Sequence, residues 1–349
     1  MRTTLNPAHL HRAALRVVAG VILIGAALVS CPGAQAQAVA VTAEKRKLPE
    51  KKAPPRKAVA LPADKTALQS FATAPFPFEG ADPKTGKPFL DVTEGERRGH
   101  RGLRGQVLWA DETYDDSRVL LHLPKGFNPQ KPGAIVVFFH GHGAKLERDV
   151  MRRQQVAAQV SRSGLNAALV APQFALDAAD SSAGKFWQAG TFLWFMEEAA
   201  QQLAQLYGDK TTARAFARMP LVFVAYSGGY LPAAYAVHNG GVARRLNAVL
   251  LLDALYGDIE KYTRWIQNFR SGVFVSAYTH HTAENNAGLQ KTLKERNILF
   301  DTELRKPLKP GSIAFLSTGE EIKHRDYVTE AWSDQPIRDF LQALQLPRR

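Results

Sequence analysis

Leu221–Tyr230 reads LVFVAYSGGY. Its first five residues are apolar without interruption, the pattern of a strand buried on both faces. They run straight into Tyr226-Ser227-Gly228-Gly229, and a helix of small residues follows from Gly228 to about His238. The stretch therefore predicts strand, tight turn and helix, with a serine at the apex. So sharp a turn needs small neighbours two residues away on either side, and Ala225 and Gly229 are small. The turn also puts Ser227 at a helix N-terminus, where the dipole and the unpaired N–H groups favour negative charge.

The same alternation repeats on either side. Ser117–Pro124 (SRVLLHLP), Ala134–Phe139 (AIVVFF), Ala167–Ala171, Ala248–Leu252, Val273–Ala277 and Ile313–Leu316 read as strands. Between them lie helical patterns. One is Leu146–Val160, closing near Gly164, and another is the stripe Phe192, Phe195, Met196, Ala199, Ala200, Leu203. A last helix carries Ile337, Phe340, Leu341 and Leu344, with Ser333 or Asp334 as its expected cap and Pro336 in its first turn. Alternating strands and helices predict an α/β fold, with a mostly parallel central sheet covered by helices on both faces. No repeat of fixed period is visible.

Two further segments carry chemistry. Strand Ala134–Phe139 ends in His140-Gly141-His142-Gly143, and His324 sits in the charged loop Glu320–Asp326 (EEIKHRD) before the last helix. With Ala225–Gly229, these resemble the α/β-hydrolase family, in particular its serine esterases and lipases, over roughly residues 100–349. Ala225 stands where that family commonly has glycine, and keeps the position small. The resemblance implies that Ser227 is the nucleophile and His324 the general base. It implies an oxyanion hole made by the N–H of Gly228 and that of His142 or Gly143. The acid is expected at Asp253, directly after the strand Ala248–Leu252, with Asp258 and Glu284 as alternatives. The order serine, acid, histidine is the one this fold uses. Tyr226, Trp187 and Tyr256 are the expected substrate contacts.

The activity implied is that of a serine hydrolase acting on carboxylic esters through an acyl-enzyme, with a small-molecule or polymer ester as substrate. Three other readings stay open. The same triad would serve an amidase or peptidase acting on cell-envelope material. His140 and His142 form an H-x-H pair suited to zinc in a metal-dependent hydrolase. A hydrolase scaffold could also bind envelope material without catalysis. No dinucleotide-binding or phosphate-loop glycine pattern is present, and neither cofactor nor resident metal is expected.

Composition sets the remaining bounds. Of 349 residues, 45% are hydrophobic and 22% charged, which suits a globular enzyme and excludes a disordered or collagen-like chain. The formal net charge is +13. Residues 1–66 hold 11 Lys and Arg against 3 Asp and Glu, so most of the excess lies there and no basic stripe points to nucleic acid. Arg2, Arg12 and Arg16 precede the uncharged run Val17–Val29, and Ala34-Gln35-Ala36 follows. That is the layout of a signal peptide over residues 1–36. Leu28–Cys31 also resembles a lipobox, and Cys31 is the sole cysteine, which excludes an intramolecular disulfide. Residues 37–66, rich in Lys, Pro and Ala, read as a disordered basic linker. Residues 67–349 are then the catalytic domain, with 67–100 an N-terminal extension. The chain is expected to be periplasmic or secreted, or held at the outer membrane as a lipoprotein. The linker or a lipidated Cys31 would provide attachment to the envelope, and the oligomeric state is left open.

Overall fold

The computed structural model describes residues 60–319 and 321–346. The signal peptide, Cys31 and the linker up to residue 59 lie outside the described residues. Eleven strands occur among those described: β1 (Lys65–Ser70), β2 (Val92–Glu94), β3 (Arg97–Arg101), β4 (Val107–Trp109), β5 (Arg118–Leu123), β6 (Ala134–Phe139), β7 (Ala167–Pro172), β8 (Leu221–Tyr226), β9 (Leu246–Leu252), β10 (Val273–Tyr278) and β11 (Ile313–Ser317). Eight form one sheet in the order β1-β5-β7-β6-β8-β9-β10-β11. β5 runs antiparallel to both neighbours, and every pairing from β7 to β11 is parallel. The expected α/β class and mostly parallel sheet are what the chain adopts, in the strand order of the α/β-hydrolase fold.

β6 explains why its sequence has no polar alternation. Ile135, Val137 and Phe139 enter one apolar cluster, while Ala134, Val136 and Phe138 enter another on the opposite face. β8 divides in the same way: Leu221, Phe223 and Ala225 on one side, Val222, Val224 and Tyr226 on the other. Helices Thr191–Tyr207, Tyr230–Asn239, Ile259–Asn268 and Ala283–Glu295 supply the first layer. Leu146–Arg153, Val156–Arg162 and Pro336–Ala343 supply the second. Among the described residues no helix is long and apolar enough to cross a membrane.

Three expectations need correction. The helix read over Leu146–Val160 is two pieces, a π-helix Leu146–Arg153 and an α-helix Val156–Arg162. Gln155 breaks the run with a φ of 51°. The side chain of Asp149 also folds back to accept the N–H of Lys145, a local bond that competes with regular helix. The last helix starts at Pro336 as expected, but neither Ser333 nor Asp334 caps it. Gln159 reaches across from the neighbouring helix, and its Oε1 accepts the N–H of Ile337 at 3.0 Å. Finally, the boundary at residue 66 cuts through β1. Leu61 is buried, and Lys65 Nζ donates to the carbonyls of Leu206 and Tyr207 at the C-terminus of helix Thr191–Tyr207. Residues 60–66 belong to the folded unit, and β2, β3 and β4 form a separate small sheet within and just after the expected extension.

Candidate active site

The carboxyl ends of β6, β8, β9, β10 and β11 carry the candidate residues. Ser227 follows β8 with a φ of 52°, in the left-handed region that a side chain disfavours. The close approach of β6 sets the rest of the turn. A Cβ on Gly229 would fall on the carbonyl of Phe139, and one on Gly228 would meet the imidazole of His142. Only glycine lets the two strand ends come this near.

Ser227, His324 and Asp253 come together. Ser227 Oγ lies 2.8 Å from His324 Nε2, and His324 Nδ1 lies 2.7 Å from Asp253 Oδ2. An ionised carboxylate only accepts, so Nδ1 carries the proton and Nε2 is free to take one from the serine. Asp253 is fully buried, also at positive φ, 44°. Burial alone would raise its pKa. The bonds donated by His324, by the Thr279 hydroxyl (2.6 Å) and N–H (3.1 Å), and by the Thr282 hydroxyl (2.7 Å) outweigh it and hold the carboxyl at about 2. The alternatives for the acid lie elsewhere. Asp258 is the N-cap of helix Ile259–Asn268 and pairs with Lys261 Nζ at 2.5 Å. Glu284 is exposed in the first turn of helix Ala283–Glu295 and makes no bond to His324.

For the oxyanion hole, the structure separates the two loop candidates. The N–H of Gly143 donates to the carbonyl of Ala178 at 2.8 Å and is spent. The N–H of His142 has no acceptor among the described residues. Gly228 is the second residue of the turn Ser227–Gly229, whose leading N–H groups have no partner within the turn. The pair that remains is Gly228 and His142. The loop bearing His142 is braced from outside: Arg148 donates to the carbonyl of Gly143 and pairs with Asp149 and Asp177. The imidazole of His142 lies 2.6 Å, Nε2 to Oγ, from Ser181. Burial pulls that imidazole below its ordinary pKa against the attraction of Asp180.

The three expected substrate contacts are placed differently. Tyr226 is buried beneath His324, its ring stacked at 5.3 Å and its hydroxyl donating to the His324 carbonyl at 2.9 Å. It holds the histidine loop instead of lining a pocket. Trp187 packs into an aromatic cluster with Phe78 and Phe89, at 5.6 and 5.5 Å, and is 8% exposed. Tyr256 does stand at the rim, 38% exposed and edge-on to His324 at 6.3 Å.

His140 cannot serve the H-x-H zinc reading. Its Nδ1 donates to the carbonyl of Gly141 at 2.9 Å, while Nε2 accepts the N–H of Phe174 (2.9 Å) and lies 3.0 Å from the Gln173 amide nitrogen. Both nitrogens are committed inside the core, so the ring is an organising residue behind the loop. Among the described residues no group of three or more His, Cys, Asp or Glu side chains could hold a metal.

Several partners had no clear signature. Thr279 and Thr282 flank the two histidines in the stretch Tyr278–Asn286, and only the hydroxyls at that spacing hinted at a carboxylate held by a turn. Arg148, on the helix directly after the His140–Gly143 loop, and Gln173, just past β7, fix that loop; only Gln173 comes from a part of the chain that the sequence does not connect to it.

No protein-family model and no curated protein matches the chain. Solved structures similar to it include a serine-to-alanine mutant of the feruloyl esterase module from Clostridium thermocellum, complexed with sinapinate. That match has 17% identity, covers 77% of this chain and 95% of that one, and has a TM-score of 0.44. A truncated carbohydrate esterase from gut microbiota matches at 10% identity, 65% and 91% coverage and a TM-score of 0.39. Thermogutta terrifontis esterase 2, phosphonylated by sarin, matches at 12% identity, 57% and 78% coverage and a TM-score of 0.34.

Proposed function

We propose that the chain is a serine hydrolase that cleaves carboxylic esters. The observation that carries this reading is the unbroken hydrogen-bond chain Ser227–His324–Asp253, at 2.8 and 2.7 Å, on a serine in a left-handed turn. In the mechanism, Ser227 Oγ gives its proton to His324 Nε2 as it attacks the ester carbonyl. Asp253 keeps the imidazole in the receptive tautomer and stabilises the imidazolium. The N–H groups of Gly228 and His142 receive the negative oxygen of the tetrahedral intermediate. His324 returns the proton to the departing alcohol, leaving an acyl-serine. Water, activated by the same histidine, then releases the acid and restores Ser227. The choice of esters rests on the family resemblance of the elbow, the histidine-glycine loop and the late histidine.

The test is fluorophosphonate labelling of the full chain read by intact mass, with Ser227→Ala alongside. One adduct on the wild type and none on the variant is expected. A folded wild type that takes no adduct overturns the reading. We also assign the chain to the exported proteins, periplasmic or secreted, on the residues 1–36 signal, with processing at a lipidated Cys31 as the alternative that would anchor it to the outer membrane.

A further inference from the structure

Beside the triad lies a cleft of about 240 Å³ lined by Thr279, His280, His281, Ile322, Lys323 and His324. It is smaller than a typical whole-ligand pocket and suits a single ring or short chain. Its place relative to the reaction is defined by His324. Neither Gly228 nor His142, the oxyanion donors, lines it. The oxygen that leaves must face His324 Nε2 to be protonated, so what is attached to that oxygen extends toward the histidine's side of the site.

The cleft's charges are unbalanced. Lys323 is exposed and has no carboxylate partner among the described residues. His280 and His281 lie with ring centroids 4.0 Å apart, and His281 stands edge-on to His324 at 5.6 Å. Among the described residues, neither imidazole forms an ion pair or hydrogen bond through its ring. Among the described residues, no carboxylate pairs with these rings. Asp253 is buried and saturated with donors. Glu321 lies back over Gly319. Asp326 pairs with Arg325. Glu284, one helical turn beyond His280, pairs with neither histidine. A cleft with three donors of positive or neutral character and, among the described residues, no opposing carboxylate attracts an anion.

We propose that this cleft is a subsite for a carboxylate carried on the alcohol side of the ester, such as a hydroxy acid or a uronate-type sugar. The proposal rests on the ester-hydrolase reading and extends it to the substrate class.

The test compares kcat/KM of the full chain on meta-acetoxybenzoate and meta-acetoxybenzamide, esters matched in size that differ by the charge on the alcohol side. A second pair, the phenyl monoester of succinate against phenyl succinamate, puts the same difference on the acyl side. The wild type should favour the benzoate by about tenfold, a preference that shrinks with added salt. Lys323→Gln and the double variant Lys323→Gln/His280→Gln should bring that ratio toward one; both side chains are exposed, so the fold survives. A wild-type ratio near one, a ratio that the double variant leaves unchanged, or a preference confined to the succinate pair overturns the subsite alone. Hydrolysis of none of the four, together with no fluorophosphonate adduct, overturns the ester-hydrolase reading and the subsite with it.

Discussion

His140 carries one proton and has no room for a second. Its Nε2 faces two N–H groups, so protonation there would set donor against donor, and complete burial opposes the charge as well. Burial outweighs the Gly141 carbonyl and brings the pKa down to about 4 from 6.5. Between those values the unfolded chain binds a proton that the native chain refuses. Native stability is therefore full above pH 6.5 and falls as the pH drops toward 4, by about 3 kcal/mol from this residue alone. Urea unfolding at the two ends of that window measures it, and His140→Gln should show a flatter dependence. Asp253 makes the opposite commitment, because it must stay charged. Asp253→Asn loses the acceptor that selects the His324 tautomer and should lower kcat on an activated ester by about 10⁴-fold in a folded protein. These two roles differed in legibility. Asp253 was readable because it ends a buried strand between the serine and the histidine. The role of His140 was not, because its partners Gln173 and Phe174 lie on a strand end that only the sheet order brings alongside.

Among the elements, strands were easier to read than helix ends. Each strand from β5 to β11 announces itself by an apolar run, since burial on both faces leaves room for few polar residues, such as His122 on β5 and Ser276 on β10. The cap of helix Pro336–Ala343 did not, because it comes from Gln159, more than 170 residues away. The Gln159 amide closes three gaps at once: Nε2 donates to the carbonyls of Gln154 and Val328, and Oε1 accepts from Ile337. Gln159→Leu keeps the volume but strands buried backbone groups, and should cost about 2–3 kcal/mol in chemical denaturation. A loss below a few tenths would mean that water or a shifted helix end replaces the amide. The three short strands β2 to β4 carry little sequence signal for a related reason. β2 and β3 are mostly polar, and β4, Val107-Leu108-Trp109, is too short an apolar run to stand out.

For the whole molecule, the informative boundary is the amino-terminal one. Charge and proline content continue past residue 59, so composition alone put the domain edge beyond Lys65. The fold puts it before Leu61. β1 covers the outer edge of β5, residue for residue from Lys65 to Ser70. Asp64 also accepts from the Lys125 N–H and from Ser161, and Thr66 lies 2.7 Å from the His122 ring. A fragment starting at residue 67 loses the Asp64 and Thr66 contacts and the first two pairs of the β1–β5 ladder, which uncovers that end of β5. It should melt lower than one starting at residue 60 and aggregate sooner, as read by thermal scanning with light scattering. Equal melting of the two would mean that residues 60–66 add nothing to stability.

Two of the three members of the proposed triad, Ser227 and Asp253, sit at φ values where side chains are unwelcome. Each such residue weakens the native state by roughly 1–2 kcal/mol relative to a relaxed backbone. The site is thus a place where heat resistance and chemistry pull in opposite directions. At position 227, glycine would relieve the turn and remove the proposed nucleophile in one change. Directed evolution of this chain under thermal challenge alone would drift toward silent proteins, starting at the elbow. A selection meant to toughen it must therefore score turnover in every round.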